Sequence, residues 1–187
     1  MKSLRQSMAA TMAALAGLIA GAGLSFGPTM SSRYRFECFG KDGRLKWVEE
    51  VDNTVVNVGL NDLLNKYFKG SSYTAAFYVG LKGTGSISAS DTMSSHAGWS
   101  EDTTYSDSTR PALTLGSVAS QSVDNSASKA SFGINGTSTI YGAFVTTNST
   151  KGGTSGTLYG AADFGASRAV ISGDTLNVTI TLTAAAS

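Results

Sequence analysis

One histidine, His96, and one cysteine, Cys38, in a chain of 187 residues leave little material for metal or thiol chemistry. A lone cysteine admits no intrachain disulfide, and no second histidine or cysteine is at hand to complete a metal site around His96. Charge is scarce as well: charged residues make up 14% of the sequence and the formal net charge is +1. A nucleic-acid binder needs a basic surface dense enough to displace counterions from phosphate, so specific nucleic-acid binding is not expected. Basic residues do lean to the front, where Lys2, Arg5, Arg33 and Arg35 precede the first acid, Glu37. That lean fits a signal-type basic start followed by ordinary strand-edge charges. Phosphate loops are missing too, since there is no P-loop and no GxGxxG run between a strand and a helix. No segment repeats at a fixed period.

The few groups that remain do not form a recognisable catalytic set. Ser94 and Ser95 precede His96, with Asp91, Glu101 and Asp102 nearby in sequence, but a triad is defined by spatial geometry and not by adjacency. His96 therefore reads as a loop hydrogen-bonder. Asp124-Asn125-Ser126 lacks the alternating acids of a calcium loop and reads as a turn. Sequons at Asn135, Asn148 and Asn177 matter only in a glycosylating pathway. Cys38 alternates with Tyr34 and Phe36 in YRFECF, the pattern of a small buried apolar residue. No catalytic, cofactor-binding or metal-binding residue is assigned, and the expectation is a protein that is not an enzyme and carries no cofactor.

What is present is a strong local pattern. Tyr34 to Phe39 runs into the turn Lys41-Asp42-Gly43-Arg44, and Trp47 to Val51 returns, with Asp-Gly as a short-range hairpin signal. Leu60, Leu63, Leu64, Tyr67 and Phe68 then fall at the spacing of one helical face, and Gly70 follows where a left-handed cap belongs. So short a helix is expected to pack on the flanking strands, burying Leu60, Leu63, Leu64 and Phe68. Strands are predicted at Thr74 to Leu81, Lys129 to Ile134, Thr139 to Thr146, Thr157 to Ala161, Ala169 to Ile171 and Leu176 to Thr183. Leu176, Val178, Ile180 and Leu182 alternate with polar residues, as in a strand with one buried face. Thr139 to Thr146 is apolar on both faces, which suits the middle of a sheet or a subunit contact.

Together these signals predict a mainly β fold, an antiparallel β-sandwich or barrel-like domain with one short α-helix, preceded by an apolar N-terminal segment. The length supports one core, and the division expected is a segment over 1–32 and a domain over 33–187. Two long connections interrupt the strands, Gly83 to Pro111 and Thr147 to Gly156. The first carries Met93, His96, Trp99 and Tyr105, large side chains that either close one end of the sandwich or meet a partner. With Tyr141 and Phe144 of the two-faced strand, Trp99 and Tyr105 form the candidate partner interface. The second has no aromatic anchor and reads as a mobile connection.

The N-terminal segment Met8 to Leu24 is uncharged and follows Lys2 and Arg5. Several readings are open: a secretory signal ending near Ala20-Gly21-Ala22, a span that is short for a bilayer core about 30 Å thick, an arm against partner subunits, or an upstream start with Met30 as the true first residue.

The run WVEEVDNTVVNVGLNDLLNKYFKGSSYTAAFYVGL, then DTMSSHAGWSE, Tyr105, Thr109-Arg110-Pro111-Ala112, SVDNSASKASFGI, STKGG and GTLYGA, follow one another in that order. In this succession, over roughly residues 33 to 183, the chain resembles a family of small structural proteins encoded by tailed bacteriophages. The resemblance implies a non-enzymatic virion protein assembled in the host cytoplasm, a head decoration or minor capsid protein whose partners are capsid subunits and further copies of itself. A tail fibre, tail tip or adaptor subunit is the alternative location. A different class, an exported adhesin-like β-domain of a bacterium, would follow if residues 1–22 are a signal peptide, and membrane contact of that segment belongs to the same reading. The resemblance brings no catalytic residues.

Overall fold

Asp42-Gly43 turns the chain where the sequence places the turn. In the computed structural model, which describes residues 29–70 and 75–185, β1 (Thr29–Phe39) and β2 (Leu45–Asp52) pair antiparallel with Tyr34 opposite Val51 and Cys38 opposite Trp47. Gly43 has φ 74°, a conformation that costs glycine little, and the Asp42 carboxylate accepts the Arg44 N–H at 3.0 Å. Alternation along β1 sends Tyr34, Phe36 and Cys38 inward. Arg35 and Glu37 point outward, where they pair with Glu50 and with Lys129. The expectations for Met8 to Leu24 lie outside the described residues, as does Thr74, and the strand predicted over Thr74 to Leu81 begins at Tyr78.

Nine further elements follow: β3 (Thr54–Val55), α1 (Asn57–Tyr67), β4 (Tyr78–Gly85), β5 (Trp99–Asp102), β6 (Ser122–Asp124), β7 (Ala130–Gly133), β8 (Ser138–Thr146), β9 (Leu158–Val170) and β10 (Thr175–Ala185). The strands form two antiparallel sheets. One has the order β2-β1-β10-β6, with β7 also on β10, and the other is β3-β9-β8-β4-β5. Phe36, Phe132, Leu176, Val178 and Ile180 of the first sheet join Val79, Leu81, Ile140, Ala143 and Val145 of the second in one core. Removing these side chains from water is the main force holding the sheets face to face, at about 1.5–3 kcal/mol for each large one. Among the described residues the fold is thus mainly β, a two-sheet antiparallel sandwich with one short helix.

Several boundaries differ from the sequence reading. The strands read at Thr157 to Ala161 and Ala169 to Ile171 are one strand, β9, because the stretch between them continues on the sheet, with Ala162 and Phe164 packed on the core and Gly165, Ala166 and Ser167 exposed. β5 lies inside the connection Gly83 to Pro111, held on β4 by the pairs Leu81 to Asp102 and Lys82 to Glu101. The short β3 and β6 carry too few residues to show a period of two.

The helix is the main correction. Its spacing is read correctly, but Leu60, Leu64, Tyr67 and Phe68 are 37%, 52%, 78% and 74% exposed, and Leu63 is half-buried. Of the helix, only Gly59 is buried. A methyl group there would stand 2.4 Å from the Tyr159 carbonyl oxygen, so the missing side chain lets the first turn sit on the β9 backbone. That contact turns the apolar stripe away from the sheet.

β10 shows how the first sheet is completed. Thr175 to Val178 pair with β7, and Thr181 to Thr183 pair with β6. Between these ladders the buried side chain of Asn125 takes the place of a strand, accepting the Ile180 N–H at 2.6 Å and donating to the Val178 carbonyl at 3.2 Å. The Asp124 carboxylate accepts the Ser126 N–H at 2.7 Å, so Asp124-Asn125-Ser126 is the turn it was expected to be. Asn125→Ala leaves a buried backbone N–H without a partner, a loss of about 1–3 kcal/mol. A urea titration is expected to show that loss, with Asn125→Asp retaining part of the stability at neutral pH by accepting the same N–H.

Candidate functional site

In β8, Ala143 and Val145 face the inter-sheet core while Phe144 between them faces the other way. There the connection between β4 and β5 covers it. Trp99 packs on Phe144 with ring centroids 5.1 Å apart, His96 stacks on Trp99 at 4.1 Å, and Met93, Val56 and Leu158 complete a second apolar cluster. Gly80 lies beneath the Phe144 ring, where a methyl group would stand 2.2 Å from its edge. Asp91 fixes the loop by accepting the Trp99 indole N–H and the Ser88 N–H, both at 2.9 Å. His96 holds Nδ1 3.0 Å from the Trp99 carbonyl oxygen, in the part of loop hydrogen-bonder.

Of the four residues assigned to a partner interface, Trp99, Tyr105 and Phe144 are therefore covered by the chain itself, and Tyr141 is half-buried. Tyr105 packs edge-on against Phe132, and burial, with the Glu101 carboxylate close by, raises its phenol well above the ordinary range. The aromatic residues of the long connection close one side of the sandwich. They are spent on the fold.

Two ion pairs, each with a fully buried cation, tie this side together. The Glu101 carboxylate takes Nε and Nη2 of Arg110 at 2.9 and 2.7 Å, and also the Gly152 N–H at 2.8 Å. Arg110, fully buried, donates in addition to the carbonyls of Asn148 and Gly153. Lys151 reaches the Tyr105 carbonyl at 2.9 Å. The connection Thr147 to Gly156, expected to lack an anchor, is thus anchored by charge and backbone. The second pair is Lys82 with Asp163 at 2.6 Å, the lysine fully buried and donating also to the Gly83 and Gly85 carbonyls. Sequence reasoning missed both pairs, since nothing local marks partners on different strands.

Cys38 is buried beside Asp174, which also meets Lys46 at 2.5 Å. Burial first, and the Asp174 carboxylate second, push its thiol up to about 11. Among the described residues no group of three or more histidine, cysteine or acidic side chains could hold a metal. Nor is any helix among them long and apolar enough to cross a membrane.

What the chain does leave open is apolar. A cleft of about 420 Å³ lies beside α1, lined chiefly by Leu63, Phe77, Leu115, Val118, Tyr159 and Leu182. A smaller one of about 180 Å³ shares Leu63, Phe77 and Tyr159 with it and is bordered by Tyr67. With the outward stripe of α1 and Val118, which is 74% exposed, these form a continuous apolar surface. Surfaces of that kind on soluble proteins mark interaction sites. It is the candidate functional site, and the sequence signal for it was the helical stripe, assigned to the core. No protein-family model matches the chain, and no curated protein matches it.

Removing one member of a buried pair leaves an uncompensated charge, so Arg110→Ala is expected to cost about 3–5 kcal/mol in a denaturant titration. Glu101→Gln leaves the buried Arg110 charge unpaired and sets an amide NH2 against donors that the carboxylate served, so it is expected to cost a comparable amount.

The raised thiol makes Cys38 unreactive. In the folded protein at pH 8 it is expected to resist a soluble thiol reagent, and to react in full once the chain is unfolded in guanidinium. Rapid labelling of the native protein would show that β1 opens locally.

Proposed function

We propose that this chain is a non-enzymatic structural protein of a tailed-phage virion, a head decoration or minor capsid protein that acts by burying surface against capsid subunits. The observation that carries the reading is the division of labour among its side chains. The acid, base and aromatic groups that could serve chemistry, Glu101, Arg110, Trp99 and Tyr105, are engaged inside the fold, while Leu64, Tyr67, Phe68 and Val118 are left outside it. The ordered motifs from Trp47 to Ala161 supply the virion part of the reading through their resemblance to phage structural proteins.

With a net charge of +1, attachment would rest on apolar contact and hydrogen bonds and not on paired charge fields. The protein is then expected to stay on purified particles when salt is raised to about 0.5 M, where exposed charge pairs are largely screened. Quantitative mass spectrometry of washed particles measures this, and electron microscopy with a labelled copy locates it. Label over the head supports the reading, label at the tail moves the protein to a fibre, tip or adaptor, and absence from particles rules out a virion role.

A further inference from the structure

We infer that the apolar stripe of α1 is a self-docking surface, on which a second copy of this chain packs the same helix antiparallel across a two-fold axis at Leu64. The inference goes beyond the virion reading and does not depend on it. It begins with the geometry of the stripe. Leu60, Leu64 and Phe68 stand at i, i+4 and i+8, one ridge about 12 Å long, and Leu64 is its midpoint. Rotation by 180° about an axis at Leu64 therefore sets Leu60 of one copy against Phe68 of the other, and Leu64 against Leu64. A ridge of i±4 spacing laid into the matching groove is the commonest packing of two helices, and a self-complementary patch closes at two copies.

The chemistry of the stripe permits self-contact. Its exposed flanking positions are Asn57, Asn61 and Asn65, with Lys69 just past its end, which the two-fold sets opposite Gly59 of the other copy, while Asp62 and Lys66, half-buried, line the smaller cleft on the side toward the body. No like charges would meet across the axis. The area is also sufficient. At the roughly 150–250 Å² that a large side chain can bury, the exposed parts of Leu60, Leu64, Tyr67 and Phe68 come to roughly 500 Å² per copy. A symmetric pair would then bury about 1,000 Å², the size at which a specific interface begins. Tyr67 and Phe68, held edge to face with centroids 5.0 Å apart, would supply the rigid aromatic anchors that such interfaces favour.

The test uses the full chain. Sedimentation velocity at about 50 µM is expected to give twice the chain mass, at a concentration where an ordinary micromolar dimer is populated. Leu64→Glu sets two carboxylates against each other on the axis and is expected to weaken association by about 100-fold or more, with circular dichroism unchanged because residue 64 is exposed. A second arm does not depend on losing the dimer. In a Cys38→Ser background, Leu64→Cys is expected to crosslink to itself on mild oxidation. Leu60→Cys and Phe68→Cys are expected to crosslink to each other when mixed, and each poorly to itself. A monomer with a freely alkylated Cys at position 64 overturns the inference and leaves the face for a different protein. A monomer whose Cys at that position neither crosslinks nor alkylates also overturns it, since another part of the same chain then covers the face. A dimer indifferent to both substitutions places the contact elsewhere.

Discussion

A strand with apolar side chains on both faces has to be covered twice, and β8 sets that requirement for the whole second sheet. Its inward residues, Ala143 and Val145, are met by the first sheet. Its outward Phe144 is not met by a third sheet, since the described residues form two. The chain solves this with a loop that carries its own small core, Met93 and Trp99, braced by Asp91 and by the stacked ring of His96. The Glu101 to Arg110 pair follows from the same requirement. It bonds the end of the covering loop to the backbone of Thr147 to Gly156, so neither loop can lift without exposing a charge pair that was desolvated with it.

The accounting explains where function is to be sought. Because Met93 and Trp99 are consumed in covering β8 and Tyr105 in packing on Phe132, the grouped apolar surface left over is at α1 and its neighbouring cleft, apart from the single exposed residues Leu45 and Ile171. Gly59 is the small residue behind that outcome. With no side chain there, the helix settles on β9 by its first turn and turns its leucines outward.

Legibility in the sequence followed the range of the interactions. The Asp42-Gly43 hairpin and the alternation of Leu176, Val178 and Ile180 could be read because each depends on residues a few positions apart, and the structure has both. Helix spacing was equally legible, yet periodicity says only that a stripe exists and not what lies against it. The partners of Arg110, Lys82 and Asn125 sit on other elements, so no local pattern announces them. β5 was hidden for a related reason: Trp-Ser-Glu-Asp carries one apolar residue, and a strand held by its neighbour's backbone and by Trp99 alone shows no alternation. Trp99 and Tyr105 were chosen for being large and in a loop, and Tyr141 and Phe144 for lying on a strand apolar on both faces, criteria that cannot separate a lid or a covered core from a docking surface.

The position of β10 has a consequence for synthesis. β10 is the last strand in the chain but an interior strand of its sheet, between β1 and β6, with β7 also on it. The hairpin of β1 and β2, though made first, has no sheet to join until β10 emerges, at 5–20 residues per second roughly ten seconds later. A two-stranded hairpin is marginal in water. The second sheet, whose strands all precede β10, can assemble in that interval, but with Val79, Leu81 and Val145 still uncovered. Completion of the first sheet therefore waits for β10, and the core face with Val79, Leu81 and Val145 is not fully covered until its Leu176, Val178 and Ile180 are in place.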